Sequence, residues 1–120
     1  MKLALSAALA AALSISTLAA AQATKVEGGM VTNSAGMTLY TFDKDAGGKS
    51  MCNGPCAANW PPHMAAADAK AAGDYTVVTR DDGGKQWALK GKPLYTWAKD
   101  MKPGDKTGDG VNKVWHVATP

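Results

Sequence analysis

Short runs rich in apolar, aromatic and β-branched residues recur along the chain, separated by polar and glycine-rich segments. Such runs are typical of β-strands, and the Gly-Gly, Asn-Gly and Pro-Gly pairs between them favour tight turns. We therefore expect an all-β fold, a small antiparallel β domain with long loops and at most a short helix. The pattern predicts six strands, at residues 26–32, 37–42, 75–80, 85–89, 94–97 and 113–118. Helical turns are predicted at residues 57–59 and in the alanine-rich segment 64–72.

An internal repeat is the strongest pattern in the chain. The segment Leu-Tyr-Thr-Phe-Asp-Lys-Asp at residues 39–45 returns as Leu-Tyr-Thr-Trp-Ala-Lys-Asp at residues 94–100, 55 positions later. The same offset relates Trp60 to Trp115. A constant offset indicates two copies of one unit without net insertion, so we expect a single domain of two pseudo-symmetric repeats. The first repeat spans about residues 30–62 and the second about residues 86–118.

Each copy places two aromatic residues on one face of its strand. In an extended chain Tyr40 and Phe42 point to the same side and Leu39 to the other. Tyr95 and Trp97 repeat this arrangement in the second copy. Apolar groups on both faces indicate a strand that is buried on both sides, and we expect both tyrosine rings to be buried.

An aspartate closes each copy where the strand gives way to glycine-rich or proline-containing chain. Asp45 and Asp100 hold this position. A carboxylate there accepts hydrogen bonds from nearby backbone N–H groups and fixes a turn. We interpret both aspartates as architectural rather than catalytic.

The first 23 residues are typical of a secretory signal peptide. Lys2 precedes an apolar run that ends in Ala21-Gln22-Ala23, an Ala-x-Ala cleavage pattern. Cleavage after Ala23 leaves residues 24–120 as one small domain, expected to be periplasmic or secreted. No cysteine lies near this site, and no second long apolar run follows. We therefore expect neither a lipid anchor nor a membrane span.

The charges are interspersed, with 13 Lys and Arg against 10 Asp and Glu, a net charge of +3. The aromatic residues lie in strand-like runs rather than in a basic groove, which argues against nucleic-acid binding.

The only two cysteines, Cys52 and Cys56, lie close together behind the signal peptide. In an oxidising compartment this favours a disulfide. The spacing is not the Cys-x-x-Cys of thioredoxin-like proteins. A redox or metal-thiolate role is the alternative.

Histidine and methionine side chains suggest a weaker, copper-binding hypothesis. His63 and Met64 are adjacent, and His116 lies in the second copy. Imidazole and thioether groups suit cuprous ion. The methionines, which include Met51 and Met101, show no repeated spacing, so a surface turn and core filling are the favoured interpretation.

The loop at residues 105–110 partly matches a calcium-binding loop, with oxygens at positions 1, 3 and 5 and glycine at 6. Position 12 is His116 instead of a bidentate glutamate, so a polar turn is favoured. The chain also lacks a Gly-x-Ser-x-Gly elbow and a His-Glu-x-x-His motif. We expect neither an enzyme nor a bound cofactor.

Taken together, the two Tyr-Thr-aromatic segments, Cys-Asn-Gly-Pro-Cys-Ala-Ala-Asn-Trp-Pro-Pro and Val-Trp-His-Val-Ala resemble the bacterial secreted-repeat, predicted-lipoprotein family. Units of that family carry a Tyr-x4-Asp motif. The resemblance covers nearly all of residues 24–120 and implies an exported protein of two repeats with no assigned activity. The marked positions correspond to Tyr40, Phe42, Asp45, Tyr95, Trp97 and Asp100.

The sequence therefore predicts an exported, non-catalytic module that binds a small ligand or an unknown envelope protein. A periplasmic copper-binding or redox accessory protein is the alternative.

Overall fold

A computed structural model describes residues 23–120 of the chain. The predicted signal peptide, residues 1–23, lies outside this region except for Ala23. The described part forms seven short strands: β1 (Thr24–Glu27), β2 (Met30–Asn33), β3 (Tyr40–Phe42), β4 (Tyr75–Thr79), β5 (Lys85–Leu89), β6 (Lys92–Pro93) and β7 (Trp115–Val117). One short helix, α1, covers Pro55–Asn59, and a single 3-10 turn covers Val111–Lys113. Among the helices of residues 23–120, none has the length and apolar character that a membrane span requires.

Three antiparallel sheets organise the strands. β1 pairs with β2, β3 pairs with β7, and β4, β5 and β6 form a three-stranded sheet in that order. The predicted all-β, antiparallel fold is therefore confirmed. Turns with left-handed backbone join neighbouring strands, at Gly28 and Gly29 between β1 and β2 and at Lys90 and Gly91 between β5 and β6.

The two repeats meet at a pair of equivalent tyrosines. The backbone N–H of Tyr40 donates to the carbonyl of Tyr95 at 2.8 Å, and Tyr95 donates back to Tyr40 at 3.0 Å. Because these residues are 55 positions apart, the reciprocal pair lies on a local pseudo-twofold axis. Backbone hydrogen bonds on either side of this pair repeat with the same offset. The N–H of Asp43 donates to the carbonyl of Val114, and the equivalent N–H of Ala98 donates to the carbonyl of Asn59. The N–H of Ala118 donates to the carbonyl of Leu39, and the equivalent N–H of His63 donates to the carbonyl of Leu94.

The two faces of the motif segments lie in separate cores. Both faces are buried, as expected from the apolar side chains that point to each side. Leu39 and Leu94 are fully buried in an aliphatic core. Tyr40 and Tyr95 are fully buried in the opposite, aromatic core. The aliphatic core also contains Val31, Trp87, Leu89 and Ala118, and the aromatic core also contains Cys52, Trp60 and Trp115.

Three element predictions are wrong in detail. Residues 26–32 form no single strand, because Gly28 and Gly29 turn the chain back on itself and split the segment into β1 and β2. The motif segment at residues 94–97 contains only two isolated bridges, both at Tyr95, to Tyr40 and to Pro62, although it keeps its backbone hydrogen bonds. The alanine-rich segment 64–72 is not helical. Its beginning is extended instead, since Ala65 donates to the carbonyl of Lys85 and lengthens the ladder of β5.

Candidate functional site

The tyrosine and aspartate of the motif pair across the two repeats. The Tyr40 hydroxyl donates to Asp100 Oδ2 at 2.6 Å. The Tyr95 hydroxyl donates to Asp45 Oδ2 at 2.7 Å. Each tyrosine thus bonds to the aspartate of the other copy, 60 residues along the chain in one case and 50 in the other. We call these two bonds the crossed pairs.

The second oxygen of each carboxylate fixes the loop that follows its own strand. Asp45 Oδ1 accepts the N–H of Met51 at 2.7 Å. Asp100 Oδ1 accepts the N–H of Thr107 at 3.0 Å and its hydroxyl at 2.6 Å. The turn-holding role predicted for both aspartates is therefore present. That prediction was incomplete, because it assigned each aspartate to its own copy alone.

Burial shapes the protonation of these groups. Both phenol rings are fully buried. Burial raises the pKa of Tyr40 and of Tyr95 far above the ordinary value, and the neighbouring carboxylates add to the effect. Burial also raises the pKa of Asp45, while the bonds from Met51 and Tyr95 oppose the rise. Both tyrosines are therefore neutral donors at physiological pH.

A buried arginine supports the Tyr95 side of the site. Ser50 Oγ lies 2.6 Å from the Tyr95 hydroxyl oxygen. Arg80 Nη1 donates to Ser50 Oγ at 2.9 Å and to Gln86 Oε1 at 2.9 Å. Arg80 Nη2 donates to the carbonyl of Cys52 at 2.7 Å. The Arg80 side chain is only 2% exposed, and the Asp82 carboxylate reaches its Nε at 3.9 Å.

Ser50, Arg80 and Gln86 were not among the residues that the sequence pattern indicated. One signal was available, since Arg80 is the only arginine in a chain with twelve lysines. A planar guanidinium with several donors suits a buried site that offers several acceptors, and lysine does not replace it there. Within residues 23–120, every buried side-chain nitrogen and oxygen has a hydrogen-bond partner.

Four aromatic rings form a continuous stack, the aromatic column, in the order Phe42, Trp115, Trp60, Trp97. The ring centroids of Trp60 and Trp115 are 3.8 Å apart, with the planes 2° from parallel. Phe42 stacks on Trp115 at 4.1 Å, and Trp97 stacks on Trp60 at 3.9 Å. Trp60 and Trp115 are buried, whereas the two outer rings are half-buried. The column therefore obeys the same pseudo-twofold symmetry as the crossed pairs.

Each crossed-pair tyrosine touches the column edge-on. Tyr40 meets Trp60 with centroids 5.4 Å apart, and Tyr95 meets Trp115 at 5.1 Å. Edge-to-face and offset-stacked arrangements are the favourable ones for aromatic rings. The six aromatic rings and two carboxylates thus make one connected unit that spans both repeats.

A cleft of about 340 Å³, the basic cleft, opens beside β3 and β7. Its ionisable side chains are Asp43, Lys90, Lys92 and His116. His116 Nε2 lies 2.8 Å from Asp43 Oδ2, and both side chains are about half exposed. Thr41, Leu89 and residues 117–120 complete the lining.

The cysteines and the copper candidates occupy separate local environments. Cys52 and Cys56 form a disulfide, as predicted, so neither is a free thiolate. The His63 ring bonds through Nε2 to the carbonyl of Ala23 at 2.9 Å, and burial lowers its pKa. His116 faces Asp43 instead. Met51, Met64 and Met101 are exposed. Within residues 23–120, no group of three or more His, Cys, Asp or Glu side chains is placed to hold a metal ion.

The loop that partly matched a calcium site uses its carboxylates on the backbone. Asp105 Oδ2 accepts the N–H groups of Met101 and Lys102. Asp109 Oδ1 accepts the N–H of Val117. These bonds correspond to a polar turn, the interpretation that the sequence favoured.

The comparison with protein families gives a match to both halves of the chain. The family described as a secreted repeat of unknown function matches residues 21–64 and residues 76–119. The chain belongs to this family. The internal repeat and the resemblance drawn from the sequence are therefore confirmed. No curated protein and no solved structure matches the chain.

Proposed function

We propose that this secreted repeat protein is a non-catalytic periplasmic binding module, and that it binds a small anionic ligand in the basic cleft. The observation that carries the proposal is the cleft itself, because two lysines line it, whereas Asp43 is the one acidic side chain in its lining and is already paired with His116. Its volume of about 340 Å³ lies at the lower end of the range for small-molecule sites. A carboxylate or phosphate group would meet the ammonium groups of Lys90 and Lys92 there.

The same residues argue against catalysis. Asp43 and His116 form a pair, but a nucleophile activated by a base needs a hydroxyl or thiol within hydrogen-bond reach. Thr41 faces His116 across the strand pair, and no hydrogen bond joins its hydroxyl to the ring within the described structure. The motif carboxylates are committed elsewhere, since Asp45 and Asp100 hold the crossed pairs. The module thus has a buried aromatic interior and a polar cleft on its surface.

Titration of the isotope-labelled chain 24–120 with citrate and with inorganic phosphate, followed by amide chemical shifts, tests the proposal. We expect shifts centred on Thr41, Lys90, Lys92 and His116. The variant Lys90→Gln/Lys92→Gln should weaken binding. The control Lys102→Gln/Lys106→Gln removes the same charge from exposed positions away from the cleft lining and should leave binding unchanged.

Three results would overturn the proposal: no shifts with either anion, shifts scattered over all lysines, or equal weakening in both variants. Equal weakening would indicate a general response to net charge, which salt screens, rather than a site.

A further inference from the structure

The aromatic column has a chemical property that ligand binding in the cleft does not use. Tryptophan and tyrosine are the side chains that most easily lose one electron, whereas phenylalanine resists oxidation. Three of the four rings in the column are tryptophans, and the inner two lie parallel with centroids 3.8 Å apart. When one of two rings in such contact loses an electron, the positive charge is delocalised over both rings, and this delocalisation lowers the energy of the oxidised pair. The Trp60–Trp115 pair is therefore the favoured place for a positive charge created by oxidation.

The two ends of the column differ. Trp97 stacks on Trp60 at 3.9 Å and is half-buried, so it connects the inner pair to the surface. Phe42 occupies the opposite end and does not accept the charge. Electron exchange with an external molecule is thus directed through Trp97. The ammonium group of Lys99 lies 5.7 Å from the Trp97 ring centroid, which disfavours a lasting positive charge on Trp97 and favours its transfer to the inner pair.

The crossed pairs supply the proton acceptor that a tyrosine needs. A buried phenol gives up an electron readily only when its proton leaves at the same time. Tyr95 meets Trp115 edge-on at 5.1 Å, and its hydroxyl already donates to Asp45 Oδ2 at 2.7 Å. Burial raises the pKa of Asp45, which makes this carboxylate a better proton acceptor than an exposed one. Asp45 is only half-buried, so solvent can exchange the proton later.

We propose that the aromatic column and the Tyr95–Asp45 pair form a one-electron relay. A one-electron oxidant, such as a ferric or cupric complex or an organic radical, takes an electron from Trp97 and is itself reduced. The vacancy moves through Trp60 to Trp115, and Tyr95 then reduces Trp115. Its phenolic proton passes to Asp45 Oδ2, which leaves a neutral Tyr95 radical and a protonated Asp45. An external one-electron reductant such as an enediol restores Tyr95, which regains its proton from Asp45.

Flash-quench oxidation of the chain 24–120 tests the relay. The probe is ruthenium(II) tris(bipyridine) as photosensitiser with a cobalt(III) ammine as irreversible quencher, followed by transient absorption and by electron paramagnetic resonance of frozen samples. We expect a tryptophan radical that decays into a tyrosine radical. Trp97→Phe keeps a stacked ring and should lose most of the radical yield.

The chain offers matched controls. Trp87 is the one tryptophan outside the column and is also buried, so Trp87→Phe should leave the yield unchanged. Tyr95→Phe should remove most of the tyrosine radical, because Asp100, the partner of Tyr40, is only 7% exposed and does not pass a proton to solvent as Asp45 does. Tyr75→Phe should leave the tyrosine radical unchanged. Asp45→Asn should slow tyrosine oxidation while the tryptophan radical still forms.

A gain-of-function variant protects the test against misfolding of Trp97→Phe. Phe42→Trp places an oxidisable ring at the other half-buried end and should restore the yield in the Trp97→Phe background. The relay is excluded if the wild-type chain gives no tyrosine radical, or if Trp97→Phe and Trp87→Phe change the yield equally. It is also excluded if Phe42→Trp restores nothing in a folded double variant. None of these results bears on anion binding in the basic cleft.

Discussion

Tyr40 and Asp100 lie 60 residues apart in sequence and share a buried hydrogen bond of 2.6 Å. Asp100 is 7% exposed, so its carboxylate depends on protein donors rather than on water. Because the partner is Asp100 and not Asp45, the motif joins the two repeats instead of closing each one. This geometry gives a direct expectation for mutational coupling.

A double-mutant cycle checks the crossing. Tyr40→Phe removes only the hydroxyl and should lower the free energy of unfolding by about 1.5–3 kcal/mol, the range for a hydrogen bond to a charged group. Tyr40→Phe combined with Asp100→Asn should show a coupling energy of roughly 0.5–3 kcal/mol. Tyr40→Phe combined with Asp45→Asn should be additive to within about 0.5 kcal/mol. The reverse ranking, measured by urea unfolding, would contradict the crossing.

A side chain at position 108, in place of Gly108, should destabilise the fold. A Cβ at this position would lie 2.8 Å from Trp60 Cη2 and 3.0 Å from Trp97 Cγ, two atoms held within the stack. Gly108→Ala should therefore cost about 1–3 kcal/mol, as overpacking typically does. Gly84→Ala is the matched control, because its closest contact, at 2.9 Å, is the end of the flexible Met64 side chain. Thermal unfolding should show the larger loss for Gly108→Ala, and an equal loss would mean that the column can shift to make room.

The disulfide should contribute modestly to stability. The bond between Cys52 and Cys56 closes a loop with a sequence separation of 4, for which the chain-entropy estimate is about 2 kcal/mol. Cys52→Ser/Cys56→Ser should lower the free energy of unfolding, measured by urea denaturation, by that amount and retain the fold, since the carbonyl of Cys52 can still accept from Arg80. Thiol titration of freshly isolated protein should give no reaction before reduction. Free thiols at that stage would argue against a structural bond.

His63 should make the protein less stable in mild acid. Burial lowers the pKa of His63 below its ordinary value of 6.5, so the folded state takes up this proton less readily than the unfolded chain. The contribution of neutral His63 is therefore present above pH 6.5 and is lost as the pH falls through the folded-state pKa. The difference in melting temperature between wild type and His63→Gln should shrink as the pH is lowered. His116→Gln, at an exposed site, serves as the control, and the same trend in that variant would assign the effect elsewhere.

The repeat made the pseudo-symmetry predictable from sequence, but not the crossing. A constant offset shows that Tyr40 corresponds to Tyr95 and Asp45 to Asp100. It does not show which copy supplies each partner, because a Tyr-x4-Asp spacing permits a bond within one copy or between two. The antiparallel pairing of Tyr40 with Tyr95 brings each tyrosine next to the aspartate of the other copy. This pairing depends on contacts between residues that are distant in sequence.

Residues without an equivalent in the other copy were the hardest to predict. Arg80, Ser50 and Gln86 form a network on one side of the pseudo-twofold axis only, so the repeat gives no signal for them. The alanine-rich segment 64–72 misled the helix prediction for a related reason. Its local preference for helix is weak compared with the ladder bonds that its first residues make to β5.

The crossed pairs also indicate which hydrogen-bond partners a chain with only one repeat would lack. Such a chain would hold a buried phenol and a half-buried or buried carboxylate, each lacking the partner that the other repeat supplies. Two copies of it, related by a true twofold axis, would satisfy both groups at once. In the present chain a tether, residues 65–75 between the two matched repeats, joins the two halves covalently. Because the tether makes association intramolecular, assembly of the two halves does not depend on protein concentration, even in a dilute compartment.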